Sequence, residues 1–419
     1  MITAIRAGVL IDGSGSVTED AVALIEDGRF SWVGAAEEFS APPNSTVIDA
    51  HNKTLIPGLI DCHVHLVASG DPEERELFSA NEVALSIPDV AYRCYENALR
   101  DLHAGWTTLR DATSRYFADL ALRDAIDSGR LVGPRLWVSG MGLTSTFGHM
   151  DRDKYFAPHV SLPGSSMIAD DPTEALKCTR QLIGRGVDFI KINATLSEHV
   201  RRYGGYCAPE MTYDTMKAIC DEAHRHGRKV IAHCHGGEGV TWALEAGLDE
   251  VDHGFFLDDE QLHFMAENDV ALCPTLSVIG RFREYGEDAL PSPTPELELW
   301  RQKAVAAAWD MVSRARSIGV TIICGSDAAM PYVRHGTNAY ELEMLTEAGL
   351  SPMEALMSAT GTAAEVLGIP DVGTIRAGNL ADAVLVDGNP LEDITVLQDP
   401  HAIAVVIKDG QIVHENRVE

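Results

Sequence analysis

The chain has 419 residues, 45% of them hydrophobic, and its 63 acidic against 33 basic side chains leave a net charge of −30. That length buries a large core and exceeds the usual single-domain range, which suits a (β/α)8 barrel carrying a small added domain. So acidic a chain argues against nucleic acid or anionic lipid as a partner; it reads as a device for solubility and carries no information about the substrate.

No apolar run approaches the ~20 residues that a membrane helix needs. The first eight residues lack the charged, apolar and small-residue zones of a secretory signal. No membrane partner is therefore expected. The eight cysteines are scattered without a paired spacing. A disulfide framework is not expected in so long a chain, and a reducing cytoplasmic location is the default expectation.

In chain order, residues 1–56 alternate short apolar runs with turns. The turn signals Asp12-Gly13-Ser14-Gly15 and Glu26-Asp27-Gly28 flank Ala21-Val22-Ala23-Leu24-Ile25, and residues 31–34 and 45–50 continue the pattern. These predict short strands of a small antiparallel sheet. Residues 381–386 and 403–413 form a matching group, with a hairpin signal at Asp409-Gly410. Two end segments of one type predict a single small β-sandwich domain, made of residues 1–56 and 366–419.

Between them, residues 57–365 alternate strands with helical patterns, which implies a parallel sheet. Strands are expected at 57–65, 107–111, 135–139, 188–193, 229–233, 250–253, 270–275 and 320–327, with helices such as 213–226 and 300–318. Residues 283–297, rich in Glu, Pro and Ser, read as a loop after the seventh strand. Eight strands with intervening helices predict a closed α/β barrel of the TIM type.

In such barrels the catalytic groups sit at the C-terminal ends of the strands. His63 and His65 end the first strand, and alternate strand residues point to one face. Lys191 lies on the fourth strand, His233 ends the fifth, His253 the sixth and Asp327 the eighth. Nitrogen and oxygen donors of this kind suit zinc or a similar divalent ion. Lys191 stands between Ile190 and Ile192, where a bare ammonium is costly to bury. Either its stem snorkels to the barrel mouth, or carbon dioxide converts it to a carbamate, an anion able to bridge two metals. His235 shares the face of His233 by the period of two. Cys62, Cys234 and Cys324 fall out of phase with the candidate ligands and read as packing residues. The residues alone do not decide between one metal and two.

The motifs 57–65 (Pro-Gly-Leu-Ile-Asp-Cys-His-Val-His), Lys191-Ile192-Asn193, His233-Cys234-His235-Gly236, Asp252-His253-Gly254, Gly325-Ser326-Asp327, His335-Gly336-Thr337-Asn338 and 373–382 together resemble the amidohydrolase superfamily, in its imidazolonepropionase-like and Xaa-Pro dipeptidase-like branch. The resemblance covers nearly the whole chain. It implies a binuclear centre with two divalent ions, of which zinc is the expected one. His63, His65 and Asp327 would hold the more buried ion and His233 with His253 the more exposed one, bridged by N-carboxylated Lys191 and a hydroxide. It also implies a small-molecule substrate and self-association into a homo-oligomer.

The chemistry that follows is hydrolysis of an amide-like carbon–nitrogen bond by the metal-bridging hydroxide, with Asp327 as the catalytic base and then acid. Dipeptides of Xaa-Pro type or N-acyl amino acids are the leading substrates. Aryl ureas, carbamates or anilides are the alternative; a deaminase, which would usually lack the bridging lysine, and a barrel that has lost its metals come behind. His149, in the loop after the third strand, His235, and His335 after the eighth are candidate substrate contacts, as are Tyr203 and Tyr206 after the fourth. Relatives often carry Gly-Gly-His where this chain has Phe147-Gly148-His149, so Phe147 is expected either to narrow the pocket or to favour an apolar or aromatic substrate.

Overall fold

The computed structural model describes residues 2–73, 85–155, 166–196, 207–290 and 295–416. Four N-terminal strands come first: β1 (Ile2–Ile11), β2 (Val17–Glu26), β3 (Arg29–Ala35) and β4 (Thr46–Pro57). The barrel strands follow as β5 (Leu59–Val64), β6 (Trp106–Asp111), β7 (Arg135–Val138), β8 (Gly142–Thr144), β9 (Ser166–Ile168), β10 (Phe189–Asn193), β11 (Lys229–Gly236), β12 (Glu250–Phe256) and β13 (Ala271–Cys273). The chain closes with β14 (Ala383–Val386), β15 (Ile403–Lys408) and β16 (Gln411–Glu415).

The strands from the two chain ends join in one seven-stranded sheet, ordered β16-β15-β14-β4-β1-β2-β3. Its junction is the antiparallel pair of β4 with β14, Leu55 opposite Leu385. One apolar cluster gathers Ile5 and Leu10 of β1, Ile25 of β2, Phe30 of β3, Leu385 of β14 and Ile407 of β15. The sheet thus curls around its own core as a sandwich. It departs from the expected antiparallel pattern at one pair, β1 with β4, which is parallel. The reason is the route: β3 runs in the direction of β1, and residues 36–45 return the chain so that β4 runs the same way alongside β1.

Seven of the eight expected barrel strands are present, the third of them in two pieces, and the eighth is an extended segment held by isolated bridges. The third is broken at Gly140, whose φ of 66° lies in the left-handed region. Its first piece, β7, pairs with β6, and its second, β8, pairs with β10. The eighth, near residues 320–327, closes the ring with an intermittent ladder: Ile323 N donates to Leu272 O at 2.9 Å on one side, and Cys62 N donates to Cys324 O at 2.9 Å on the other. Gly58 leads into β5 where a Cβ would lie 2.1 Å from Thr107 Oγ1, so only glycine lets β5 and β6 approach this closely.

The helices carry their own start and stop signals. The helix Pro172–Arg185 opens on Asp171, which accepts from the amides of Thr173 and Glu174, has proline in its first turn, and ends at Gly186 with φ 88°. The stretch 283–297 is not simply a loop. The helix Leu276–Tyr285 and a 3-10 turn Gly286–Ala289 fill its start, and a long helix Pro295–Ile318 begins inside it. Pro295 marks that helix start, because a first-turn proline loses no helical hydrogen bond. Among the described residues no helix is long and apolar enough to cross a membrane.

Leu59 is fully buried in the barrel cluster, whereas Ile412 on β16 is 52% exposed. Leu59→Ala is expected to lower stability by about 2–5 kcal/mol and Ile412→Ala by no more than about 0.5 kcal/mol, measured by urea unfolding. Equal effects would contradict this burial pattern.

Candidate metal centre and its cavity

The first and eighth strands deliver three of the expected groups together. Asp327 N donates to His63 O at 2.7 Å and His65 N donates to Ala328 O at 2.9 Å, which fixes the two strand ends side by side. Asp61 completes the joint: its carboxylate accepts from the amides of His63 (3.0 Å) and Ser326 (3.1 Å), from Ser326 Oγ (2.6 Å) and from Asn338 Nδ2 (2.8 Å). As a result His63 Nε2 lies 3.6 Å and His65 Nε2 lies 3.3 Å from Asp327 Oδ1. Thr113 holds the other face of the His65 ring, its Oγ1 3.2 Å from Nδ1.

Lys191 points inward from β10, 3% exposed, with Asn193 on the same side. Its ammonium pairs with Asp252 of β12. Asp252 also lies 3.1 Å from His63 Nδ1, which turns Nε2 of that ring toward Asp327. Arg110 of β6 stands behind, 3.9 Å from Asp252 and in a two-pronged pair with Glu250. The floor of the barrel is therefore a linked set of buried charges rather than an apolar plug.

His233 and His235 project from β11 on one side, with ring centroids 4.6 Å apart, as the period of two requires. His253 lies 4.6 Å from His233 and 5.2 Å from His63 between centroids. On a regular strand Asp252 and His253 would face opposite ways. His253 has φ 71°, and the β11–β12 register shifts just beyond, so both side chains face the interior. Thr275 Oγ1 holds His253 Nδ1 at 2.7 Å. His149 stacks on His233 at 3.9 Å and 16°.

These donors fit divalent ions. One ligand atom each of His63, His253 and Asp327 lies within 4.8 Å of the others. His233 Nε2 is buried with no hydrogen-bond partner among the described residues, a position a bound ion would satisfy. Burial, together with neighbouring histidines and Lys191, holds the His233 and His253 imidazoles well below their ordinary value, so both are neutral, the form that ligates. Burial alone would raise the Asp327 carboxyl, but the charge of His63 and the hydrogen bond to His65 outweigh it and keep Asp327 ionised. Cys62, Cys234 and Cys324 are buried free thiols, each pushed up by burial, in keeping with packing roles.

The chain as a whole is similar to known proteins. The chain matches the amidohydrolase family over residues 54–413. It belongs to that family. Among its relatives, ochratoxinase of Aspergillus niger is 31% identical, over 98% of this chain and 86% of that one. Imidazolonepropionase of Mycolicibacterium smegmatis is 26% identical, over 96% and 93%. A solved Xaa-Pro dipeptidase with bound methionine in its active site is 31% identical, covering 99% of this chain and all of that one, with a TM-score of 0.87.

In this amidohydrolase the metal-ligand candidates open onto a cavity of about 820 Å3, counting its mouth. His149 and His235 line it. His335 does not. Its Nδ1 pairs with Asp101 at 2.7 Å and its Nε2 lies 3.2 Å from the His65 carbonyl, so the ring braces the His65 backbone from behind. Phe147 also fails its expectation: with φ 59° it turns away, 43% exposed, and does not narrow the pocket. Tyr203 and Tyr206 lie outside the described residues. Sequence reasoning missed Asp252, the cavity-lining Arg152, and an apolar wall of Phe255, Val278, Phe282 and Trp300. Of these only Asp252 carried a signal, as the acidic neighbour of a candidate ligand.

The depressed imidazoles give the metal-free protein a pH dependence. Below the ordinary histidine value of 6.5, the unfolded chain takes up protons that folded His233 and His253 refuse. Stability present above that value is lost as pH falls through it. The urea midpoint of metal-stripped protein is expected to drop from about pH 7 to about pH 5.5, and a level midpoint would contradict neutral buried imidazoles.

Proposed function

We propose that this amidohydrolase is a binuclear metal-dependent hydrolase that cleaves the amide C–N bond of dipeptides of Xaa-Pro type or of N-acyl amino acids. The observation that carries the reading is the gathering of five ligand candidates and Lys191 at one cavity, in a fold shared with an Xaa-Pro dipeptidase at a TM-score of 0.87. His63, His65 and Asp327 would hold one ion, and His233 with His253 the other. Lys191, as its carbamate, would join them. Zinc suits this set of nitrogen and oxygen donors.

Bound divalent ions supply a water of lowered pKa and polarise the scissile carbonyl. The chain's own residues do the rest. Asp327 Oδ1, kept ionised beside His63 and His65, accepts the proton of the attacking water and returns it to the leaving nitrogen. His149 and His235, beside His233 in the imidazole cluster, would donate to the substrate's carbonyl and hold it in line. Asp61 and His335 hold the backbone of the first strand end, so that the ligand atoms stay where they are needed.

A library of dipeptides and N-acyl amino acids assayed on zinc-loaded enzyme tests the reading. Turnover of at least one such class is expected, and Asp327→Asn should lower kcat by about 10²–10⁴-fold. Cleavage of aryl ureas with no turnover of dipeptides or N-acyl amino acids would sink it.

A further inference from the structure

One side-chain amide in the cavity lining is only half satisfied. Asn193 ends β10, the fourth strand of the ring, two residues beyond Lys191 and on the same side, and it is fully buried. Its Nδ2 donates to the carbonyl of Leu143 on β8 at 3.0 Å. A carbonyl can only accept, so this bond fixes which way the amide faces and leaves Oδ1 as the end turned away from β8. Oδ1 is buried with no hydrogen-bond partner among the described residues. A buried acceptor left unpaired is costly, and the cost is relieved when a donor arrives. The five ligand candidates and Lys191 account for two ions without it.

The fourth and eighth positions of an eight-membered ring face each other, so Asn193 and Asp327 approach the cavity from opposite sides. When the carbonyl of an amide is attacked, its nitrogen becomes pyramidal, with a lone pair on one side and any N–H on another. Asp327 returns its proton to the lone pair, and the N–H is then free to meet Asn193 Oδ1. The charge of the lining points the same way. Asp327 is the one carboxylate among the described lining residues, and it is committed to the ions and to proton transfer. An ammonium is best met by a carboxylate, through a charge-assisted hydrogen bond. A neutral, buried amide oxygen suits a neutral N–H instead.

We propose that Asn193 is a specificity residue whose Oδ1 accepts the N–H of the scissile amide. Of the two substrate classes in the proposed reaction, this selects secondary amides, the N-acyl amino acids. Xaa-Pro dipeptides are disfavoured twice, because their scissile nitrogen bears no hydrogen and their free α-ammonium finds no carboxylate in the described lining. The inference rests on the amide-hydrolase reading for the bond itself.

The test is calorimetric binding to zinc-loaded protein of two ligands that cannot be hydrolysed as amides: N-methylphosphonyl-L-leucine and its phosphinate counterpart, in which CH2 replaces the N–H. The two have nearly the same shape, and the first alone can donate to Asn193. Wild type should bind the N–H ligand about tenfold more tightly or better, because the CH2 ligand leaves Oδ1 unpaired. Asn193→Ala should reduce that preference to about twofold or less. If Asn193→Ala does not fold, Asn193→Leu, of nearly the original volume but without an acceptor, decides by the same ratio. A preference that the variant keeps, or that wild type lacks, overturns the proposal. Because binding is read without turnover, a protein that hydrolyses no amide but keeps the Asn193-dependent preference contradicts the proposed reaction alone. An amide hydrolase without the preference contradicts the role of Asn193 alone.

Discussion

The centre depends on one buried carboxylate. Asp252 pairs with Lys191, orients His63 through Nδ1 and is backed by Arg110. Burial alone would make this carboxyl neutral, and the adjoining cations reverse that and hold it ionised. Each member is tolerable inside the barrel only because the others are present. In the metal-free chain with Lys191 uncarboxylated, Lys191 without Asp252 would be an unpaired buried ammonium, and His63 without Asp252 would lose the contact that turns its Nε2 toward Asp327.

Around that floor the backbone is bent to bring more donors to the mouth than regular strands can offer. His253 and Asp327 both sit at positive φ, 71° and 56°, which side chains with a Cβ adopt at a cost of about 1–3 kcal/mol each. Packing and hydrogen bonds hold them there: Thr275 on the His253 ring, and the His63 carbonyl on the Asp327 amide. The strained residues His253 and Asp327 thus stand beside His233 Nε2, a buried atom with no hydrogen-bond partner among the described residues, at the mouth of the barrel.

Much of this was legible in the sequence because it rests on the two-residue period of strands. His63 with His65, and His233 with His235, share faces for that reason alone, and Cys62 and Cys234 fall away from them for the same reason. The period also hid Asp252, since a regular strand cannot turn it and His253 to one side; the positive φ that does so has no local signature. Arg152 and the apolar wall sit on a turn and on helices whose approach to the cavity is set by tertiary packing. Phe147 misled because its aromatic character suggested a pocket, while its left-handed backbone sends the ring outward. His335 lies in a motif shared with the family, but its role is structural: both ring nitrogens have partners on the protein.

The centre's claim to hold two metals is tested most directly by counting them. Elemental analysis of gently purified protein, incubated with zinc and bicarbonate and then freed of excess, should find two ions per chain in wild type. In Lys191→Ala, which cannot form the carbamate, the count should fall to about one or fewer. Only traces of metal in folded wild-type protein, or a Lys191→Ala variant that keeps both ions, would contradict the account.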